Sequence, residues 1–553
     1  MTNAAIYMHP NGFDTTTGRI LGRHSAGESF LRGFLRHADV ERFYFWNAGA
    51  ATIAELQALV ARIQPTHRPK TWITTLNRPG LATPGVLHLP GPNLGEEAWA
   101  RRMHGAHSYS ITGVTHTTAT ARVMDMLSHF AVAPLTDYDA LICTSSAVRD
   151  SVETQLAGIR EYMAEAYGGP RRAPEVQRAT IPLGVNTEEF ATSPEQRKAW
   201  RERLDIPEEA VVALYVGRFN HREKMNPALM ALALERAAQA TGRPIYWVNS
   251  GWAETEAEAA LYHDGARALC PSVHYREVDG RPPDVRFSIW SVGDFFISLS
   301  DNIQETFGLT PLEAMAAGLP CVVTDWDGYR DTVVHGEHGF RIPTVAPRPG
   351  DGADLAYWYA NGWLPYVNYV GAASQFVAID FAESTAALSA LVTNAEFRRK
   401  LGRQAQAHVR ATFDWSQIVP QYQALWGELD ARRRSRAPDA VSAPGVNPYR
   451  PDPFRLFGGY PSRHLGDDWR LALAPGTTPA AARSLLSAPL TSYSAFNRPG
   501  PDEVEQLVAW LAERPHATVS DAVEIFPAGR RGQVRRGLLW IARYGAIILK
   551  PPA

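Results

Sequence analysis

Cysteine is scarce in this 553-residue chain: Cys143, Cys270 and Cys321 stand far apart. Scattered singly, they supply neither a metal-ligand spacing nor a disulfide framework, which points to a reducing, cytoplasmic setting. No apolar run approaches the roughly 18 residues that a membrane span needs. The opening M-T-N-A-A-I-Y-M-H-P has no basic stretch followed by an apolar one and does not read as a secretory signal. Charge of one sign is missing too. Lys plus Arg number 55 and Asp plus Glu 57, so the formal charge is -2. Such a balance gives the whole chain no reason to seek nucleic acid or an anionic membrane. What remains is a globular composition, long enough for two or three domains with proper cores.

The most informative stretch is Ser300 to Phe340. It reads S-D-N-I-Q-E-T-F-G-L-T-P-L-E-A-M-A-A-G-L-P-C-V-V-T-D-W-D-G-Y-R-D-T-V-V-H-G-E-H-G-F. The apolar run Asp294 to Leu299 before it predicts a buried strand, and Cys321 to Thr324 predicts another. Between them lies a helix start: Thr310 can cap it, Pro311 suits its first position and Glu313 stands three residues after the cap. Gly318-Leu319-Pro320 ends that helix. The amides of Gly308, Leu309 and Thr310 then form a helix N-terminus, which suits an anion such as a diphosphate. Glu305 and Glu313 bracket the loop with seven residues between them. Carboxylates do not bind phosphate, so they would suit hydroxyl groups beside it, as in a sugar nucleotide. Equally, Glu313 can be the capping-box partner of Thr310, and Glu305 a solvated loop acid.

The whole string resembles the donor-binding signature of family 4 glycosyltransferases. It carries the Glu-x7-Glu pair, the F-G-L-T-P-L-E-A-M-A-x-G-x-P run and the trailing D-G. The resemblance covers about residues 1 to 430. It implies that Glu313 binds the donor ribose, that Glu305 contacts the transferred sugar, and that the Phe307, Gly308, Leu309 and Thr310 amides contact sugar and phosphate. It also implies a GT-B fold, two Rossmann-like α/β domains facing a cleft. The expected activity is retaining, metal-independent transfer of a sugar from a nucleoside diphosphate sugar, a UDP- or GDP-sugar, to an acceptor hydroxyl. No cofactor is expected, and the acceptor stays open: glycan, lipid, protein or small molecule.

Along the chain, short apolar runs alternate with helical patterns to about residue 430, which predicts parallel sheets with covering helices. Strands are expected at Ala4 to Met8, Arg42 to Trp46, Thr71 to Thr75, Val86 to Leu89, Ser110 to Thr115 and Ala140 to Thr144. The loop His9 to Arg23 holds Gly12, Gly18 and Gly22, and a helix follows from about Ser25. Glycines there let a backbone approach phosphate, though they also simply make turns. Relatives set a glycine of this loop against the donor phosphates; the usual adjacent Gly-Gly is absent here, and Gly22 is the choice. Arg32, Arg36 and Arg42 can be a membrane-facing patch or a solvated face. Thr115-His116-Thr117 follows the fifth strand, at the sheet edge where open sheets hold ligands. Family members often carry a site histidine there, so His116 is placed near the transferred sugar and acceptor.

Ala179 to Phe190 resembles the family's crossing between domains. The second domain, 191–430, opens with the strand Val211 to Val216 and then G-R-F-N-H-R-E-K. The resemblance gives Arg218 and Lys224 the donor diphosphate, with Arg222 an alternative to Lys224. Strands are expected near Ile245 to Asn249 and Val273 to Val278, and the loop after Val278 receives the base in relatives. The aromatics of 345–375, Trp358, Tyr359, Trp363, Tyr366 and Tyr369, look like an insertion that either seals a small core or stacks on sugars. Residues 431–451 read as a Pro-rich linker.

The tail, 452–553, lies outside the resemblance. Three helices and a terminal strand suggest a small winged-helix-like α+β unit. Arg530, Arg531, Arg535, Arg536 and Arg543 on its third helix suggest DNA recognition. However, Val534, Leu538 and Ile541 form an apolar stripe there, and Asp502, Glu503, Glu505, Glu513, Asp521 and Glu524 oppose the arginines. A protein contact or self-association is therefore expected rather than nucleic-acid binding. Two other functions compete with the enzyme: a catalytically inactive GT-B binding protein, and a nucleic-acid-binding regulator acting through the tail.

Overall fold

The computed structural model describes residues 2–15, 22–169, 176–436, 447–493 and 495–552. Gly18, one of the loop glycines, lies outside them, as does 437–446 of the expected linker. The chain divides into two compact units, Met1–Pro448 and Tyr449–Ala553.

The first unit holds two parallel sheets. Seven strands, β1 (Ala5–Met8), β2 (Phe43–Asn47), β3 (Lys70–Thr74), β4 (Val86–Leu89), β5 (Ser110–Val114), β6 (Ala140–Cys143) and β7 (Gln177–Thr180), lie in the order 3-2-1-4-5-6-7. Three helices matter for the site on this side: α1 (Gly22–His37), α2 (Ala121–Ser128) and α3 (Ser146–Tyr167). Six more strands, β8 (Val211–Arg218), β9 (Ile245–Trp252), β10 (His274–Asp279), β11 (Phe295–Ser298), β12 (Cys321–Thr324) and β13 (Gly339–Ile342), take the order 10-9-8-11-12-13. Counted from its own first strand, each sheet runs 3-2-1-4-5-6. In that order the chain leaves β1 and β4, or β8 and β11, in opposite directions. A crevice therefore opens at their C-terminal ends, where doubly wound sheets bind ligands.

The strands expected from apolar runs are present to within a few residues. The edge strands β7 and β13 were not expected. Gln-Arg-Ala-Thr and Gly-Phe-Arg-Ile are half-polar, as edge positions with one covered face allow.

Helix α4 (Leu309–Ala316) departs from expectation. Its N-cap is Gly308, not Thr310, and no side chain caps it. Thr310 sits inside the first turn and Glu313 lies too far along to close a capping box, so the capping reading of Glu313 falls. Gly308 has φ +79, and a Cβ there would fall 2.1 Å from the Tyr329 ring. Only glycine fits that bend.

The 345–375 insertion is framed by a two-stranded antiparallel ribbon, β14 (Thr344–Val345) with β15 (Ala378–Ile379). It contains α5 (Ala353–Ala360) and α6 (Tyr366–Ser374). Of the two readings of its aromatics, a sealed core is met only in part: Tyr359, Tyr366 and Tyr369 are half-buried, but α5 buries no residue, and Trp363 is 72% exposed. The chain then returns through α7 (Trp415–Ser435). Trp415, Ile418, Tyr422, Trp426 and Leu429 of α7 join Phe30, Leu31 and Phe34 of α1 in the core of the first sheet. This closing helix ties the two sheets into one unit.

The second unit has its own core. Strands β16 (Arg470–Leu473) and β17 (Ile547–Lys550) pair antiparallel. Around them lie α8 (Pro479–Ser487), α9 (Pro501–Ala512), α10 (Val519–Glu524) and α11 (Arg531–Arg543). Thr518 caps α10 as expected, in a box with Asp521. Helix α8 and strand β16 were not foreseen. Val534, Leu538 and Ile541 are fully buried. Arg530 pairs with Glu503 and Arg535 with Asp467, so part of the arginine row is neutralised inside the unit.

Candidate active site

The second crevice is built by two loops. The first follows β8, whose last residue is Arg218. Here Asn220, nearly buried, accepts hydrogen bonds from the Arg222 and Glu223 amides at 3.0 and 2.8 Å through its side chain. This Asx turn reverses the chain and sends Lys224 back toward the crevice. The second loop follows β11. Its Asn302 side chain donates to the Arg222 carbonyl at 2.6 Å, locking the two loops together.

Lys224 forms an ion pair with Glu305, and Arg218 pairs with Glu223 at 3.0 Å. Both cations therefore stand in the crevice with carboxylate partners. Arg222 does not share their role: its guanidinium reaches Asn368 of α6 at 3.1 Å. Burial pushes the Glu305 carboxyl up, but Lys224 and the Thr306 and Phe307 amides outweigh that and hold it below its ordinary value. Glu305 is thus ionised and fixed, not the solvated loop acid that a lone Glu would be.

Glu313 faces a different environment. Burial pushes its carboxyl up to about 7, against the pull of Arg286; Glu189 raises it and Lys224 lowers it. Near neutral pH it stands at the balance between its charged and neutral forms. Asp301, at the start of the same loop, is also pushed up to about 7 by burial.

The loop amides at Gly308, Leu309 and Thr310 open α4 as expected. The Phe307 side chain is 1% exposed and packs in the core near Phe413, so only its backbone is available to a ligand. The Val278 side chain is likewise a core residue. Gly22 is the first residue of α1, with open space where a side chain would stand. The tight approach in that region belongs to Gly27, where a Cβ would fall 1.9 Å from the Gly12 carbonyl oxygen. Arg32 and Arg36 are no free basic patch. Arg32 pairs with Glu28 and Glu189, Arg36 with Glu188, and Arg42 hydrogen-bonds Thr71. The membrane-facing reading has no unpaired charge at Arg32 or Arg36 to rest on.

The first sheet meets this site directly. The Thr306 hydroxyl donates to the His116 carbonyl at 2.9 Å, and Ser145 donates to the Thr306 carbonyl at 2.7 Å. Asp331 accepts from the Ser146 amide and hydroxyl at 2.5 and 2.7 Å, and so caps α3 from across the crevice. His116 is therefore brought beside the loop that carries Glu305. Glu223, Asn220, Gln304 and Asp331 escaped the sequence reading, and Tyr366 entered it only among the insertion's aromatics. Asn220 left a signal, an Asn two and three residues before the amides it binds.

Two doubly wound domains, joined by a returning helix and facing each other across an anion-ready crevice, define a GT-B architecture. Residues 196–348 match the family model described as glycosyl transferases group 1. The chain is 26% identical over 230 residues to a D-inositol 3-phosphate glycosyltransferase of Corynebacterium efficiens, which is 41% of this chain and 45% of that protein. It is 30% identical over 183 residues to the protein of the same name from Corynebacterium urealyticum, 32% of this chain and 41% of that one. The matches thus span less than half the length of these curated relatives. Among solved structures, Anabaena HepE in complex with UDP and glucose superposes with a TM-score of 0.48 and 13% identity. That match covers 77% of this chain and 100% of the other.

Proposed function

We propose that this chain is a retaining glycosyltransferase of the family 4 type, taking a sugar from a nucleoside diphosphate sugar to an acceptor hydroxyl. The observation that carries the reading is the convergence of Arg218, Lys224 and the start of α4 on one crevice. Breaking the anomeric bond develops charge on the departing diphosphate. Fixed cations and helix-end amides stabilise that charge without reorganising. Glu305, ionised beside Lys224, suits the transferred sugar's hydroxyls; Glu313 suits the ribose. His116 stands on the acceptor side. Retention of configuration, independence of metal and the choice between UDP and GDP come from the family resemblance and belong to this proposal.

The diphosphate must take the place of two carboxylates. Glu223 holds Arg218 and Glu305 holds Lys224, so both cations are oriented before the donor arrives. Binding exchanges ion pairs rather than creating charge contacts from solvent, which spares part of the ordering cost. The 452–553 unit is assigned a protein contact or self-association, since several of its arginines are satisfied within the unit. No helix among the described residues is long and apolar enough to cross a membrane.

The test is release of UDP or GDP from a panel of nucleotide sugars, with the product's anomeric configuration read by proton NMR. Nucleotide release and an anomer matching the donor's support the proposal. An inverted product removes the family 4 mechanism, and no release or binding with any donor removes the enzyme reading.

A further inference from the structure

The insertion between β14 and β15 does something that neither the signature nor the family match accounts for. It touches both sheets' site loops. On the second-domain side, Asn368 holds Arg222, and Gly371 packs so closely that a Cβ there would fall 3.0 Å from the Arg222 Cβ. On the first-domain side, the Ala121 amide at the start of α2 donates to the Tyr359 hydroxyl at 2.7 Å. Tyr359 and Tyr369 stack at 4.2 Å with 4° between their rings, which ties α5 to α6. Between these two anchors stands Tyr366, half-buried. Its hydroxyl donates to the Gln304 side chain at 2.8 Å.

Gln304 precedes Glu305, and Ala121 opens α2 shortly after His116. The insertion therefore bridges, through Tyr366 and Tyr359, the neighbourhoods of two residues that the proposed reaction needs at fixed separation. We infer that Tyr366 is a positioning residue, which holds the Glu305 loop in register with the first domain through the insertion. The inference rests on the proposed transfer reaction for its catalytic consequence, but the bridging itself does not depend on it. A peptide loop after a strand end has few local restraints, and misplacing a reacting group by about 1 Å can cost on the order of 100-fold in rate. A single buried hydrogen bond is worth about 0.5–1.5 kcal/mol net, or about 2- to 12-fold in an equilibrium. The effect of losing the bridge is thus expected at about tenfold.

The experiment compares full-length wild type with Tyr366→Phe, which keeps the ring and its packing. Trp363→Ala, on the exposed side of the insertion, is the control. Amide hydrogen exchange is followed at 303–307, with kcat and donor KM measured in parallel. Exchange is expected to rise there, kcat to fall about tenfold, and KM and Tm to stay near wild type. The control should change none of these. Unchanged exchange at 303–307 overturns the bridge, and an active enzyme with unchanged kcat overturns its positioning role. Wild type that binds and turns over no nucleotide sugar defeats the proposed function and the catalytic role together, while exchange still decides the bridge.

Discussion

Lys224 and Glu305 form an ion pair across the crevice between β8 and β11, with side chains 22% and 13% exposed. One partner comes from the Asx turn after β8, the other from the loop before α4. The pair therefore fixes two loops relative to each other and, in the proposed reaction, holds a lysine ready for the diphosphate. Lys224→Ala and Arg218→Ala should each lower turnover by about 100-fold or more, the usual cost of a lost preorganised contact to developing charge. Tm should change little in Arg218→Ala. It should fall in Lys224→Ala, because Glu305 is left charged and largely enclosed without its partner. Steady-state kinetics and a melting curve separate the two effects.

Glu223 gives a prediction of opposite sign. Its carboxylate pairs with Arg218, so it should compete with the donor diphosphate of the proposed reaction. Glu223→Gln should tighten donor binding by a few fold, seen as a lower KM. A higher KM would mean that Glu223 orients Arg218 more than it masks it.

The Glu313 carboxyl, pushed up to about 7, makes donor binding pH-dependent. Ribose hydroxyls donate more strongly to a carboxylate than to a carboxylic acid. Donor affinity should therefore rise between about pH 6 and 8. Stability should run the other way. A raised carboxyl holds protons that the unfolded chain has released, so its contribution is complete below about 4.5 and declines as pH rises to about 7. Asp301 acts in the same direction. Glu313→Gln should flatten the affinity profile while its helix stays intact, since no capping bond is lost. Asp301→Asn should change the stability profile and leave the affinity profile sloped. Calorimetric titration and melting at several pH values check both.

Gly308→Ala should disrupt the loop. Its φ of +79 and the Tyr329 ring 2.1 Å from the new Cβ make the substitution strained and sterically blocked. Left-handed backbone alone costs about 1–2 kcal/mol. A lower Tm with a sharply raised donor KM is expected; unchanged Tm would mean that the loop rearranges freely.

Removing 449–553 should leave donor hydrolysis intact, because that unit has its own core. Transfer to the native acceptor, or the oligomeric mass in light scattering, should change. A truncated protein equal to the full chain in both assays contradicts the assignment of a partner contact to the tail.

The sheets were legible because buried parallel strands write themselves as apolar runs, as Val211 to Val216 does. The half-polar edge strands β7 and β13 were not, because their composition is that of a loop. Glu305, Glu313, Arg218 and Lys224 could be read from spacing and family likeness. Their electrostatic states could not, because burial around Glu313 and the Lys224 partner of Glu305 depend on loops that meet only in the folded chain. The capping error at Thr310 shows the limit of local rules. Thr-Pro is a good helix start, but the Gly308 bend against Tyr329 begins the helix two residues earlier. Tyr366 was visible only as one aromatic among several, and the partner of its hydroxyl, Gln304, lies 62 positions away.

Isothermal titration of UDP and GDP into wild type, Arg218→Ala and Lys224→Ala tests the nucleotide site most directly. The expected result is one-to-one binding of one nucleotide by wild type and at least tenfold weaker binding by each variant, with all three proteins folded. Binding by neither nucleotide, or equal binding by wild type and both variants, would contradict the site.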